Sequence, residues 1–198
     1  MIHGRAAVLR LNGPQGSLDI FVIYGESGGS HEAREARARL RATLSSSIRP
    51  PSIAMTVLAG DFNFVTKDSD RCCKTTGEWT GARDDWEQDD WLLTVATPWS
   101  LNELEQEQAT HDCATARSRI DRVYTNHHVS EQLDSRFTCT PLDWCQQLSD
   151  HRCLSFGKKT CGENRPTTTS ITPSIAQTPE FPLGVTLRLT ELEKKNCG

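Results

Sequence analysis

Three short segments of the chain carry side chains that could act together on a phosphate ester. In chain order they are Gly60-Asp61-Phe62-Asn63, Ser118-Arg119-Ile120-Asp121 and Ser149-Asp150-His151, and each lies next to an apolar run. Hydrolysis of a phosphodiester requires an activated water molecule, neutralisation of charge at the phosphate, and groups that stay fixed while charge develops. Carboxylates, an amide and an imidazole are the right chemical types for these tasks. Phosphodiester hydrolysis is therefore the first hypothesis.

The first segment follows a buried strand pattern. Residues 53–59 are nearly all apolar, which predicts a strand that ends at Gly60. Because side chains alternate along an extended chain, Asp61 and Asn63 would share one face while Phe62 points into the core. An isolated Gly-Asp-x-Asn is more often an Asx-rich turn that closes a strand. The other two segments reverse that preference.

The second and third segments supply further ionisable groups. Residues 119–124 end in two β-favouring residues, which predicts a strand with Asp121 and Val123 on one face. Asp121 could be ion-paired with Arg119 or Arg122. In the third segment, Asp150 would point the opposite way from His151 on an extended backbone, where it could meet a metal ion or its bound water.

The order of these segments, after a Tyr-ended strand at residues 21–24, resembles the endonuclease/exonuclease/phosphatase family, the DNase I-like metal-dependent phosphodiesterases. Within that family, Ser-Arg-Ile-Asp-Arg-Val-Tyr at 118–124 resembles the apurinic-type endonuclease domain of non-LTR retrotransposons. Inositol-phosphate phosphatases usually continue the Asp-x-Asn with an Arg, whereas this chain has Phe64. The resemblance spans about Arg5 to Phe156 and is strongest at the three segments.

The resemblance implies catalytic roles for four of these residues. Asp61 matches the Asp that positions or deprotonates the attacking water, and Asn63 matches the Asn that holds the phosphate. His151 matches the His that contacts the phosphate, with Asp121 as its orienting partner. A carboxylate beside an imidazole favours the charged ring and fixes its tautomer.

The resemblance also implies a metal ion and a phosphate-facing tyrosine. Asp150 and Asp61 match metal-contacting carboxylates, and the implied cofactor is Mg²⁺, with Mn²⁺ as an alternative. Tyr24 matches the family's catalytic and substrate-binding Tyr, although a strand-end aromatic residue explains it equally well. The family's chief metal ligand, a Glu on an early strand, has no counterpart before Tyr24, and Glu26 lies on the wrong side to replace it.

DNA is the implied substrate. The segment at 178–192 weakly resembles the region that joins such nucleases to a reverse transcriptase, so a reverse transcriptase region of the same polyprotein is a second implied partner. Two alternatives stay open. The chain could be a truncated, non-catalytic remnant whose motifs persist by descent, or a phosphatase on the same fold.

Composition constrains these hypotheses only weakly. With 198 residues, 36% of them hydrophobic, and a net charge of −4, the chain predicts one core and no global basic field for nucleic acid. The acidic stretch at 84–90 is expected at a helix start or away from a nucleic-acid groove. The five arginines around the first predicted helix are interpreted as a solvated face; they are Arg34, Arg37, Arg39, Arg41 and Arg49.

The eight cysteines lack zinc-ribbon spacing, and no signal segment opens the chain, so most are expected to be buried small residues or free thiols of an intracellular protein, nuclear or cytoplasmic and not secreted. No apolar run approaches the ~20 residues of a membrane span.

The predicted elements alternate between strands and helices. They are strands at 5–11, 18–24, 53–59, 119–124, 136–142 and 152–156, and helices at 31–46, 85–95 and 127–133. This order predicts an α/β fold, a partial DNase I-like two-layer β-sandwich flanked by helices, over residues 1–157. Residues 158–198 are rich in Pro, Thr and Ser and are predicted to be a linker or disordered tail.

Overall fold

A computed structural model describes residues 4–14, 16–126 and 137–158 of the chain. These residues belong to the first of two units into which the chain divides, Met1–Lys159. The helix predicted at 127–133 and the tail predicted beyond residue 158 lie outside the described residues, and those predictions stay untested.

The centre of this unit is a mixed five-stranded sheet. Its strands in spatial order are β1 (Ala6–Gly13), β2 (Gly16–Tyr24), β3 (Met55–Asp61), β8 (Asp121–Thr125) and β5 (Asn102–Glu103). The strands predicted at 5–11 and 18–24 are confirmed, and they form an antiparallel hairpin as β1 and β2. β2 and β3 are parallel, and β3 pairs antiparallel with β8, which places the ends of the first two motif strands together.

Two smaller sheets complete the described strands. One has the order β4 (Arg71–Cys73), β7 (Ala116–Ser118) and β6 (His111–Asp112), and the other pairs β9 (Phe137–Pro141) with β10 (Leu154–Lys158). β4, β6 and β7 have two or three residues each, so hydrophobic periodicity could not reveal them. They form in the stretches between the predicted elements, on either side of the helix predicted at 85–95.

Helix α1 (His31–Ser47) connects β2 to β3 and packs on the central sheet. Ser30 caps its start, because the Ser30 Oγ accepts a hydrogen bond from the Ala33 backbone N–H at 3.2 Å. As the periodicity predicts, Leu40 and Leu44 are buried, and they join Phe21 of β2 in the main core. Helix α2 (Asp85–Trp91) continues into a π-helical turn at Leu92–Ala96, so the second predicted helix is also present.

The interpretation of the α1 arginines as a solvated face is wrong for two of them. Arg37 and Arg41 are each 4% exposed and pair with the buried carboxylate of Glu87 on α2. Arg37 donates to Glu87 Oε1 from Nε at 3.0 Å and from Nη2 at 2.6 Å. The acidic stretch does begin α2, as expected, but one of its members holds two helices together.

The two faces of the central sheet differ in cover. One face packs under α1 and α2. The other carries a smaller cluster that includes Val57 and Val123 with Cys139 and Leu154 of the β9–β10 pair. Beyond that pair, this second face leaves apolar side chains exposed; they include Leu9, Leu11 and Val22.

No helix among the described residues is long and apolar enough to cross a membrane. The six cysteines within the described ranges are free thiols, and of these Cys139 is buried whereas Cys145 and Cys153 are exposed.

Candidate functional site

Three predicted site residues occupy one row across the central sheet. Tyr24 is in register with Asp61, and Asp61 is in register with Asp121. Because directly paired residues point to the same face of a sheet, the three side chains share the face opposite α1. The Tyr24 ring is half exposed, and the Arg5 guanidinium lies 4.7 Å from its centroid. The sequence thus predicts the position of Tyr24, and its role stays a prediction.

The chain turns sharply after Asp61. Gly60 has φ +144°, and a Cβ there would lie 2.0 Å from the Ile23 carbonyl oxygen, so only glycine fits between β3 and β2. Asn63 has φ +54°, a left-handed conformation that Asn tolerates better than most residues. Phe62 is buried, as predicted, and its ring packs edge-on against Trp91 at 5.0 Å between centroids.

In this turn, Asn63 donates two hydrogen bonds to the Asp61 carboxylate. The Asn63 backbone N–H donates to Asp61 Oδ1, and the Asn63 side-chain amide donates to Asp61 Oδ2, both at 2.8 Å. The same amide also donates to the Gly25 carbonyl at 2.8 Å. Both amide hydrogens are therefore used, and the amide oxygen is the atom of Asn63 that can accept a further ligand.

The predicted contact between Asp121 and His151 is present. His151 Nδ1 lies 2.9 Å from Asp121 Oδ2 and 3.2 Å from Oδ1. The alternative pairing of Asp121 with Arg119 or Arg122 is wrong. Those guanidiniums instead bind the buried carboxylate of Asp70, at 2.6 Å from Arg119 and 3.1 Å from Arg122.

Thr110 and Asp70 support the site in ways that the sequence did not reveal. The fully buried Thr110 hydroxyl accepts the backbone N–H groups of Ile120 and Asp121 at 3.3 and 3.1 Å. Asp70 anchors Arg119 on the other side of the same segment. Burial alone would raise the Asp70 pKa, but the hydrogen bond from Arg119 and its other donors hold that pKa below the ordinary value. Asp121 is thus presented to His151 from a rigid backbone.

The environment shifts the pKa of Asp61 upward. Burial of its carboxyl, followed by the negative charge of Asp121, raises the Asp61 pKa to about 6, although hydrogen bonds from Asn63 and the nearby His151 act in the opposite direction. The His151 pKa is also raised, chiefly by its hydrogen bond to Asp121. A carboxyl whose pKa is raised to about 6 is suited to accept a proton near neutral pH.

Asp150 lies close to a second histidine as well as to His151. Its Oδ2 lies 3.4 Å from His111 Nε2, and one ligand atom from each of His111, Asp150 and His151 lies within 4.8 Å of the others. The His111 and His151 rings have centroids 4.6 Å apart. His111 was missed by sequence reasoning, because a single His ten residues before the Asp121 motif carries no pattern.

Three solved structures resemble this arrangement of strands and helices. The endonuclease domain of TRAS1, a telomere-specific non-LTR retrotransposon, matches with a TM-score of 0.48 and 18% identity, over 78% of this chain and 62% of that domain. A beta toxin from Staphylococcus aureus matches with a TM-score of 0.47 and 14% identity, over 78% and 57% of the two chains. An AP endonuclease from Archaeoglobus fulgidus matches with a TM-score of 0.51 and 13% identity, over 77% and 65%.

The chain has a DNase I-like fold. The predicted α/β class is confirmed with it. At such low identity the likeness concerns the fold alone, and the chain spans less than two thirds of the length of each of these structures. No family model matches the sequence, and no curated protein matches it.

A groove lies beside Asn63. Its cavity measures about 570 Å³, and its lining includes Asn63 and His111. Arg34 and Arg71 supply positive charge, and the Arg71 Nε donates to the Ser118 hydroxyl at 3.2 Å. One carboxylate, Asp84, also lines the groove. The local charge is therefore more basic than the net charge of −4 suggests.

Proposed function

We propose that this DNase I-like chain hydrolyses phosphodiesters with a divalent metal ion, and that DNA is its substrate, as for an endonuclease. The observation that supports the proposal is the convergence of four side chains from three separate segments. Asp61 contacts Asn63, Asp121 is in register with Asp61, and His151 binds Asp121. A solvated surface would not require this order of contacts, whereas hydrolysis of a phosphate ester needs these chemical groups together.

In this proposal Asp61 takes the proton of the attacking water. A general base works best when its pKa lies near the working pH, and burial brings the Asp61 pKa to about 6. The backbone N–H and one side-chain amide hydrogen of Asn63 hold the carboxylate in one orientation, so that the proton-accepting lone pair is fixed before the reaction.

His151 binds the phosphate. Its Nδ1 is engaged by Asp121, so Nε2 is the nitrogen that faces a ligand. The raised His151 pKa keeps more of the ring cationic near neutral pH, and a cationic ring donates a charge-assisted hydrogen bond to a phosphate oxygen. Tyr24, in the same row of the sheet, is proposed as a further phosphate contact.

The residues present fit a hard divalent ion such as Mg²⁺, with Mn²⁺ as an alternative. Asp61 and the free amide oxygen of Asn63 offer oxygen ligands, which Mg²⁺ prefers, and Asp150 offers a second carboxylate beside His151. The ion would neutralise charge on the phosphate when bound.

Arg34 and Arg71 are proposed to bind the phosphate backbone beside the scissile bond. Nucleic-acid backbones are bound mainly through Lys and Arg, with a strong dependence on salt. The cavity is lined by Asn63 and by both guanidiniums, which supports a backbone contact beside the proposed chemistry.

The test is nicking of supercoiled plasmid DNA in Mg²⁺ or Mn²⁺, with EDTA as the negative control. Because the chain spans only part of the matched structures, the assay uses both the 198-residue chain, which we expect to be nearly inactive, and a fusion with the part of the Archaeoglobus AP endonuclease that it lacks. In the fusion, Asp61→Asn and His151→Ala should each lower the rate at least about 100-fold. Matched controls are Asp68→Asn and His31→Ala, at exposed positions.

Two outcomes would contradict the proposal. Strong EDTA-sensitive nicking by the Asp61→Asn and His151→Ala variants would show that these residues do not take part in the hydrolysis. A fusion protein that folds and binds metal but cuts no DNA would favour the non-catalytic remnant. If the same fusion protein released phosphate from a small phosphate ester, the result would favour a phosphatase.

A further inference from the structure

The cluster formed by His111, Asp150 and His151 shares Asp150 with the proposed Mg²⁺ ligands but adds two imidazoles to it. Two of its three members are imidazoles, and their ligand atoms lie within 4.8 Å of one another and of the carboxylate. His111 Nε2 and Asp150 Oδ2 are 3.4 Å apart. Two ligands at about 2.0–2.1 Å from a tetrahedral Zn²⁺ are separated by about 3.4 Å. This pair therefore already has the spacing of two metal ligands.

The backbone holds the two histidines on one side. His111 and His151 face each other in an antiparallel bridge. Hydrogen bonds on either side of the bridge fix it, from the Asp112 N–H to the Asp150 carbonyl at 2.9 Å and from the Arg152 N–H to the Thr110 carbonyl at 2.7 Å. Directly opposed residues project their side chains in the same direction. The cluster is therefore positioned by main-chain pairing and not by chance contact of surface side chains.

Asp121 prepares His151 as a metal ligand. It binds Nδ1 at 2.9 Å, and this leaves the lone pair of Nε2 available in the neutral ring. A carboxylate behind the histidine fixes the tautomer and increases ligand basicity, the arrangement found behind many metal-binding histidines. Asp150 is largely exposed, with 65% of its side-chain surface accessible, so a water molecule could occupy a fourth position.

We propose that His111, Asp150 and His151 form a binding site for a divalent transition-metal ion of the Zn²⁺ and Co²⁺ type. Imidazole nitrogen suits these ions, whereas Mg²⁺ takes oxygen ligands and keeps most of its water. Asp61 and Asn63, with oxygen donors, are not part of this set. The DNase I-like chain then carries two regions with different metal preference on either side of His151.

This site has a consequence that rests on the proposed function. Nε2 of His151 cannot bind a transition-metal ion and a substrate phosphate oxygen at the same time. Occupancy by Zn²⁺ should therefore inhibit Mg²⁺-dependent hydrolysis, although it leaves Asp61 untouched. The site acts as an inhibitory metal site whose sensitivity depends on His111.

The binding test does not require activity. Co²⁺ is titrated into the 198-residue chain and followed by visible absorption, with Zn²⁺ affinity measured by competition. We expect d–d bands of a four-coordinate ion without the thiolate charge-transfer band that cysteine ligation would add. His111→Ala and His111→Gln should weaken binding at least tenfold, whereas His31→Ala, at an exposed histidine of α1, should not change it. Asp121→Asn should weaken it 10- to 100-fold.

Co²⁺ affinity that is equal in both His111 variants and the original chain, with circular dichroism showing all of them folded, would overturn the proposal. So would a thiolate band, or displacement of Co²⁺ by equimolar Mg²⁺. In the fusion protein with Mg²⁺ present, Zn²⁺ should slow nicking, and each His111 variant should keep the rate that it has without Zn²⁺ when the same Zn²⁺ is added. If binding behaves as expected and no form of the protein cuts DNA, the metal site stands and the proposed function fails.

Discussion

The carboxylates of Asp61 and Asp121 face each other at one register position of two antiparallel strands. Like charges directly opposite one another destabilise a sheet, and Asp61 is only 7% exposed. The pair is tolerated because His151 binds Asp121 and because Asn63 donates two hydrogen bonds to Asp61. Two charged carboxylates at this position therefore lower the free energy of unfolding.

Asp61→Asn should stabilise the protein at neutral pH. The Asp61 pKa is raised from 3.8 to about 6, so the folded state loses stability as pH rises from about 4 through about 6. The difference between these two pKa values corresponds to a loss of roughly 3 kcal/mol in unfolding free energy at most. Because solvent screens the charges, we expect a loss of about 1–3 kcal/mol. Urea unfolding at pH 7.5 should show the Asn variant to be more stable, and at pH 4 the advantage should be gone. If the Asn variant and the original chain were equally stable at pH 7.5, the charged Asp61 carboxylate would carry no energetic cost in the folded state.

Asp121→Asn should lower the pKa of His151. The hydrogen bond to Asp121 is the chief cause of the raised value, so its loss leaves the effect of burial, which acts downward. The raised pKa contributes stability that is present below about 6.5, the ordinary histidine value, and lost as pH rises through the folded value. Proton NMR of the His151 ring measures its pKa in the original chain and in Asp121→Asn. The ring signal is assigned because it is missing from the spectrum of His151→Ala. An unchanged titration midpoint would contradict the contact.

Asn63→Gly and Asn63→Ala should separate backbone strain from side-chain chemistry. Glycine accepts φ +54° without strain, whereas alanine there should be about 1 kcal/mol less stable than glycine. Both variants lose the two side-chain hydrogen bonds to Asp61 and Gly25, so both should lose nicking activity in the fusion protein to a similar extent. Urea unfolding and the plasmid assay supply the two measurements. An alanine variant as stable as the glycine variant would contradict the left-handed conformation.

Glu87→Gln should destabilise the chain by about 3–5 kcal/mol. It removes the charge that neutralises the buried Arg37, whereas the buried Arg41 keeps its ion pair with Asp90, and an unpaired buried charge is costly. The matched control is Glu35→Gln, whose carboxylate lies 55% exposed on α1 and should change stability by no more than about 0.5 kcal/mol. Thermal or urea unfolding measures both. A small effect at Glu87 would show that the guanidiniums find other partners.

Local sequence was sufficient for the main elements. The apolar run that ends at Gly60 predicts β3, the β-favouring residues at 18–24 predict β2, and the spacing of Leu40 and Leu44 predicts the buried stripe of α1. Asp61, Asn63 and the Asp121–His151 contact were also predicted, because each motif lies at the end of a recognisable strand and strand ends meet at one rim. Their catalytic roles stay predictions.

Only the tertiary structure brought together residues whose partners lie far along the chain. The burial of Arg37 depends on Glu87, 50 residues away, and an arginine on a polar helix has no local signal for that pairing. His111 meets His151 through a backbone bridge between two segments that lack hydrophobic periodicity. Periodicity reports which side of an element is apolar, whereas ion pairs and bridges depend on how elements are docked. The sequence by itself therefore determined the longer strands and the motif residues, and the fold decided which charges they face.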